Sequence, residues 1–240
     1  MRYAVIADIH ANLEAFEVVL NDAKEQKCTH YCCVGDVVGY NADPVRCVEA
    51  INELGCVTVQ GNHDHYCATQ GDLTDFHPLA AEVVEWTRAQ LGPAHVDFLR
   101  GLKLVRRVGG FTLVHSTLDM PDKWGYVFDT LEAEANFTYQ STALCFHGHT
   151  HVPAVFERAK SVRRVSLSRT QLEVGTRYFI NVGSVGQPRD GDPRAAYAIY
   201  DVGAKTVQLQ RVAYDIEAAQ ATIRNAGLPE RLARRLQFGK

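Results

Sequence analysis

Three apolar runs, each broken by the same kind of residue, constrain this chain more than anything else in it. Tyr31-Cys32-Cys33-Val34 closes on Gly35-Asp36, with Gly39 following; Tyr3-Ala4-Val5-Ile6-Ala7 closes on Asp8-Ile9-His10; Val57-Thr58-Val59-Gln60 closes on Gly61-Asn62-His63-Asp64. A short β-rich run stopped in this way reads as a buried parallel strand, and ligands of open α/β sheets gather outside such carboxyl ends. Between the runs, Leu13, Phe16, Leu20 and Ala23 recur at helical spacing, which predicts a helix over 12–26. Asp43-Pro44 opens a second helix, whose stripe of Val45, Val48 and Ile51 ends at Leu54-Gly55. The separations from Asp8 to Asp36 and from Asp36 to Asn62 are close to the ~30 residues of a βαβ unit. Three parallel neighbours therefore deliver Asp, His and Asn to one rim.

The chain has 240 residues, 46% of them hydrophobic, enough to bury one sizeable core. It reads as a single domain over 1–240, with a helical insertion at 72–101 near the rim and a C-terminal helical tail at 214–240. Leu79, Val83 and Trp86 set the periodicity of the insertion, Gly92-Pro93 interrupts it, and Val96 to Leu99 suggests a further short helix. The Gly109-Gly110 turn leads into Phe111-Thr112-Leu113-Val114-His115, again an apolar run with its polar residue last. A helix is expected near 129–138. Another strand follows over 142–147, and after it comes a cluster of imidazoles, His147-Gly148-His149-Thr150-His151. Beyond it, short β-type runs near 154–158, 162–168, 177–182, 195–200 and 206–213 alternate as antiparallel meanders do, which predicts a second sheet. In the tail, Ile216, Ala219 and Ile223 are helically spaced up to Gly227, and the pattern restarts after Pro229.

A net charge of -3 gives none of the electrostatic footprint with which nucleic-acid binders neutralise phosphates. Arg163-Arg164 and the segment from Arg231 to Arg235 read as solvated faces. The first strand begins without an apolar leader region, and no run is long enough to span a bilayer. Seven cysteines lie mostly within apolar patterns and form no CxxC pair, so they read as small core residues of a reduced, cytoplasmic protein.

Collected, the run-end residues are Asp8, His10, Asp36, Asn62, His63, His115, His149 and His151: carboxylate, imidazole and amide oxygen, without thiolate. Such mixed donors suit Mn, Fe, Zn, Ni or Co rather than Ca, which prefers oxygen alone. Eight donors are too many for one metal ion and about right for two. In this order, Asp-x-His, Gly-Asp, Gly-Asn-His-Asp, a single strand-end His and Gly-His-x-His resemble the calcineurin-like metallophosphoesterase superfamily. The stretch from Asn181 through Gly183-Ser184-Val185-Gly186-Gln187-Pro188-Arg189 to Arg194 resembles a small phosphodiesterase-like subgroup found in bacteria and archaea, apart from Val182, where that subgroup commonly has Pro.

The resemblance implies a four-layer α/β/β/α sandwich with two mixed β-sheets. It implies two divalent transition-metal ions, with Asp8, His10 and His151 as ligands of one, Asn62, His115 and His149 of the other, and Asp36 between them. Such a pair lowers the pKa of a shared water and clamps phosphate oxygens, so that hydroxide rather than a side chain attacks phosphorus. His63 is the candidate to protonate the leaving alkoxide, with Asp64 expected to fix the tautomer of its imidazole. Arg189 and Arg194 are candidates for substrate binding, since Arg grips phosphate with two parallel hydrogen bonds.

Protein phosphatases and symmetrical dinucleoside tetraphosphatases of the superfamily carry Asp-Arg-Gly where this chain reads Asp36-Val37-Val38. The expected substrate is therefore a small phosphodiester or nucleotide-derived phosphoester. Phosphomonoesters, phosphoproteins and asymmetrically cleaved dinucleoside polyphosphates are the alternatives, and a non-catalytic scaffold is the competing class. His30, His77 and His95 read as ordinary residues, His65 and His147 as structural ones, Trp86 as core, and Trp124 as a weaker candidate for stacking a substrate base. The apolar face of the insertion can pack on its own core or on a second copy of the chain, which leaves a homo-oligomer open.

Overall fold

The computed structural model describes residues 1–74 and 78–240, so the reading of His77 lies outside the described residues. One sheet contains β1 (Arg2–Ile6), β2 (His30–Cys33), β3 (Val57–Thr58), β9 (Arg169–Gln171), β11 (Ala195–Asp201) and β12 (Thr206–Val212), in the order β3-β2-β1-β11-β12-β9. The other contains β4 (Val105–Val108), β5 (Phe111–Val114), β6 (Leu144–His147), β7 (Ala154–Arg158), β8 (Val162–Val165) and β10 (Arg177–Asn181), in the order β4-β5-β6-β10-β7-β8. Strands β1, β2 and β3 are parallel neighbours, with Val5 opposite Cys32 and Cys33 opposite Thr58. β5 and β6 are likewise parallel, as are β6 and β10.

Successive strand residues point to opposite faces, and this alternation sorts the side chains into layers. Val5, Cys32 and Ala198 of the first sheet meet Phe111, Leu113, Leu144, Phe146, Val155, Tyr178 and Ile180 of the second in a buried core between the sheets. Their neighbours Ala4, Ile6, Cys33 and Tyr197 face outward onto α1 (Leu13–Glu25) and α2 (Pro44–Leu54) through Phe16, Val19, Val48 and Ile51. On the far side, Val114, Cys145, Phe156 and Phe179 pack on Ala133 and Phe137 of α6 (Thr130–Tyr139). The result is the expected α/β/β/α order. Ile180 is fully buried at the centre of the inter-sheet core. We expect Ile180→Val to lower unfolding stability by about 0.5–1.5 kcal/mol, read as a reduced midpoint in urea.

Two expectations are revised. The strands after residue 150 do not form one meander: β7, β8 and β10 complete the second sheet, while β9, β11 and β12 extend the first, with β11 antiparallel to β1. Alternation reports a half-buried strand but carries no information about which sheet accepts it. The third run is also shorter than it reads, since β3 has two residues and Asn62 already opens α3 (Asn62–Ala68).

The insertion contains α4 (Pro78–Gln90) and α5 (Pro93–Gly101). Leu79, Val83 and Trp86 of α4 pack on Ala219 and Ile223 of α7 (Ile216–Asn225) and on Leu232 and Leu236 of α8 (Glu230–Leu236). That face is thus covered by the tail of the same chain. Among the described residues no helix is long and apolar enough to cross a membrane.

Candidate metal centre

The turns that follow the parallel strands are laced to one another by backbone bonds. Asp8 N donates to Gly35 O at 3.0 Å and His10 N to Asp36 O at 2.9 Å, which fixes the end of β1 against the end of β2. From the second sheet, His149 N donates to the Asp8 carboxylate at 3.1 and 3.2 Å. Asp8, His10, Asp36, His149 and His151 all hold left-handed backbone, with φ of 52°, 48°, 55°, 67° and 60°. Each such residue costs about 1–2 kcal/mol, a strain that persists only where the surroundings over-determine it and that gathers at functional sites. Gly61 is required by close approach: a Cβ there would stand 2.1 Å from Asp36 Oδ1 and 2.4 Å from Asp36 N. Gly39, at φ 92°, would place a Cβ 2.4 Å from His63 Nδ1.

Backbone carbonyls decide what the histidines present. His10 Nδ1 lies 3.0 Å from Val38 O, His115 Nδ1 2.8 Å from Val34 O, His151 Nδ1 2.6 Å from Gln187 O, and His149 Nε2 2.9 Å from Trp124 O. A carbonyl only accepts, so each of these nitrogens carries the proton and the opposite nitrogen offers a lone pair. Those lone pairs converge. His10 Nε2 and His151 Nε2 are 3.0 Å apart, and His115 Nε2 is 3.1 Å from both His149 Nδ1 and Asn62 Oδ1. Between the two groups stands Asp36 Oδ2, 3.5 Å from His10 Nε2 and 3.4 Å from His115 Nε2. Asp8 Oδ1 closes the first group, 3.5 Å from His151 Nε2.

Nitrogen and oxygen atoms this close and buried, with the far nitrogens of the imidazoles already held by carbonyls, fit a cation in their midst, and their chemistry fits a divalent transition metal. Imidazoles held by carbonyls on the far nitrogen are the usual second contact of metal-ligating histidines. Asp8, His10 and His151 could hold one ion, and Asp36, His115 and His149 another; His10, Asp36 and His63 form a third such group.

The charge state agrees with a demand for positive charge at this place. Burial pushes His10 and His151 well below the usual imidazole range and His149 down to about 3. Burial also acts to lower His115, but the charge and hydrogen bond of Asp36 outweigh it and carry His115 up to about 9. A metal ion seated here would displace that proton from His115 Nε2 and free its lone pair. Asp36 is likewise opposed by burial, yet the surrounding imidazoles hold its carboxyl well below the carboxylate range.

Asp8, His10, Asp36, Asn62, His63, His115, His149 and His151, gathered from strand ends in both sheets, are thus brought to one place. Asp64 takes a different position from the expected one. Its carboxylate accepts from the backbone N–H of Asp36 (2.8 Å), Val37 (2.8 Å), Val38 (3.3 Å) and Gly61 (3.0 Å), while His63 Nδ1 has no hydrogen-bond partner among the described residues. Asp64 is a brace for the Asp36 turn and does not orient the His63 imidazole. Successive residues of a helix point about 100° apart, so adjacency in α3 does not bring the two side chains together. His63 N instead donates to Asp36 Oδ1 at 2.9 Å.

Arg189 and Arg194 part company. Arg194 is exposed and its guanidinium is engaged by Asp192, with Nε 3.0 Å from Oδ1 and Nη2 2.6 Å from Oδ2. Arg189 stays at the rim, with Nη2 2.8 Å from Gln187 Oε1 and its Cζ 5.4 Å from the Tyr40 ring centroid. His147 is buried and stacked 4.1 Å from Phe179, and His95 Nδ1 accepts from Gly92 N, both structural positions. Burial pushes the Cys32 thiol up to about 12, as befits a core residue. Trp124 reaches the site through its backbone carbonyl on His149 and with its ring, whose centroid lies 6.1 Å from that of His115.

Two further aromatic residues line the site: Tyr40, 4.4 Å from the His63 ring and 4.6 Å from that of His10, and Tyr126, stacked 4.2 Å from His149. Tyr40 directly follows Gly39, a hint of a rim position, whereas nothing in the sequence around Tyr126 sets it apart.

Comparison with known proteins gives a consistent result. Residues 1–205 match the calcineurin-like phosphoesterase superfamily domain. An uncharacterized protein of Methanocaldococcus jannaschii is 37% identical over 241 residues, covering 99% of this chain and 98% of its own. The crystal structure of a metallophosphoesterase from Sphaerobacter thermophilus superimposes with a TM-score of 0.91 at 40% identity, covering 100% of this chain and 99% of that one. A hypothetical protein from Pyrococcus horikoshii shares the fold at 20% identity, with a TM-score of 0.82 over 100% of this chain and 98% of its own.

Proposed function

We propose that this chain, which belongs to the calcineurin-like phosphoesterase superfamily, hydrolyses a phosphodiester or nucleotide-derived phosphoester with two divalent transition-metal ions. The observation that carries this reading is the convergence of lone pairs on either side of Asp36 Oδ2. In it, Asp8, His10 and His151 would hold one ion and Asn62, His115 and His149 the other, with Asp36 placed to serve both. When bound, such a pair makes water nucleophilic at neutral pH and polarises phosphoryl oxygens.

The protein's own residues have three tasks. The carbonyls of Val34, Val38, Trp124 and Gln187 hold each imidazole in the tautomer that offers its lone pair inward. Asp64 holds the Asp36 turn through its backbone. His63, buried beside His10, donates a proton to the leaving oxygen. In the absence of substrate, burial pushes His63 down to about 4, so its imidazole is neutral at pH 7. An anionic phosphoester arriving beside it favours the protonated, donating form.

His63→Ala is expected to keep its metal content and lose about 10²-fold in turnover on esters with poor leaving groups, and much less on a nitrophenyl ester. Equal loss on both would remove His63 from the role of proton donor. The reading as a whole is tested by Mn-supported hydrolysis of a chromogenic diester, a chromogenic monoester and a dinucleoside tetraphosphate, with metal per chain measured in parallel. Two bound metals and cleavage of one of the three support it; absence of bound metal and of hydrolysis supports a scaffold.

A further inference from the structure

The arginines of α8 are placed for more than a solvated face. Arg231 and Arg235, four residues apart on one side of the helix, line a cavity of about 170 Å3 with Arg189, Tyr40, Leu79 and Ala80. Other arginines nearby have carboxylate partners: Arg194 with Asp192, Arg211 with Asp190, Arg224 with Glu230. Among the described residues, Arg189, Arg231 and Arg235 form no ion pair with an Asp or Glu side chain. Arg189 donates to the neutral Gln187 side chain, which leaves its charge uncompensated, and Arg235 Nε donates to the backbone oxygen of Lys240, the last residue of the sequence. Three like charges around one cavity repel one another. Burial, with the charges of Arg189 and Arg231, pushes Arg235 down to about 10.

The cavity adjoins the metal centre through a shared wall. The Tyr40 ring that lies under Arg189 is also in contact with the rings of His63 and His10. The backbone fixes this relation: Arg189 N donates to His151 O at 3.3 Å, and Gly191 N donates to Gly239 O at 3.0 Å, which ties the end of the tail to the loop that carries Arg189.

We propose that Arg189, Arg231 and Arg235 form a second anion subsite beside the metal centre, and that the substrate carries a second phosphate group besides the phosphorus that reacts. The inference rests on the phosphoesterase reading for the first phosphate; the second is argued from the arginines alone. Planar guanidinium groups approaching from the loop and from α8 suit a tetrahedral anion, to which each can donate two parallel hydrogen bonds.

The test is calorimetric titration of the Mn-loaded protein with AMP and with adenosine 3′,5′-bisphosphate. The wild type is expected to bind the bisphosphate about tenfold to a hundredfold more tightly than AMP, the scale of one or two charge-assisted hydrogen bonds. Arg231→Gln with Arg235→Gln is expected to abolish that preference. Arg234→Gln, on the same helix but outside the cavity, is expected to preserve it. If the double variant fails to fold, the exposed Arg231→Gln alone must reduce the preference about tenfold or the proposal falls. A wild type without the preference, or a double variant that keeps it, overturns the subsite. Metal content and diester hydrolysis of the wild type are read separately. Their absence beside an arginine-dependent preference would overturn the phosphoesterase reading and leave the subsite standing.

Discussion

Asp36→Asn is expected to bring hydrolysis down by more than about 10³-fold, beyond the 10²–10³ scale for losing a single electrostatic contact to a transition state. The reason is its position: Oδ2 lies almost equally far from His10 Nε2 and His115 Nε2, at 3.5 and 3.4 Å, so one substitution weakens both halves of the centre. The amide is neutral, and it has only one oxygen for the two tasks the carboxylate performs, Oδ1 accepting from His63 N and Oδ2 facing the imidazoles. Elemental analysis of the purified variant is expected to give less than one metal per chain, with turnover falling in step. A variant that retained two metals and a tenth of the activity would remove Asp36 from its shared position. The fold should survive, because Asp64 still holds the backbone of the Asp36 turn and the one amide oxygen can still accept from His63 N.

Asp64→Asn is expected to act on stability first. The carboxylate accepts from four buried backbone N–H groups, each oxygen serving two of them. An amide keeps one acceptor and turns its NH2 against donors that then have no partner. Unsatisfied buried donors cost ~1–3 kcal/mol each and hydrogen bonds to charged groups contribute ~1.5–3 kcal/mol. With incomplete additivity, the loss is expected to be about 3–5 kcal/mol, a large share of the ~5–15 kcal/mol of a typical domain. For a chain of this size that corresponds to a fall of roughly 6–20 °C in Tm, measurable by calorimetry on the metal-loaded protein. Were Asp64 instead orienting His63, the variant would melt like the wild type and lose turnover alone. Calorimetry and kinetics together separate the two roles.

The strand ends were legible in the sequence because burial and chemistry make opposite demands there. An apolar run has no use for a terminal carboxylate or imidazole unless the chain is about to leave the core, so Asp8, His10, Asp36, His115, His149 and His151 announce themselves by contrast with what precedes them. The layers were legible for a related reason: alternation within β1, β5, β6 and β10 specifies two faces whichever partner covers them. In each case the signal is local and periodic. The helices α1 and α2 belong to the same class, since a 3.6-residue stripe needs no knowledge of its partner.

Contacts between distant segments had no such signal. The allotment of β9, β11 and β12 to the first sheet depends on which edge is open once β1 to β3 have paired. The partner of Asp64 depends on the direction of its side chain from α3, and it proved to be a backbone turn 26–28 residues earlier in the chain. Arg189 meets Arg231 and Arg235 because α8 packs on α4 and the tail is fastened to the Gly191 loop; in the sequence Arg189 reads as a phosphate contact, whereas Arg231 and Arg235 read as a solvated run. Residue types and their order along the chain therefore determined the ligand chemistry, the strands and the layers, because these follow from local periodicity and from the cost of burying polar groups. Which donors face one another across the Asp36 turn, and which arginines share a cavity, was decided only by tertiary packing, because such distances depend on the whole path of the chain between them.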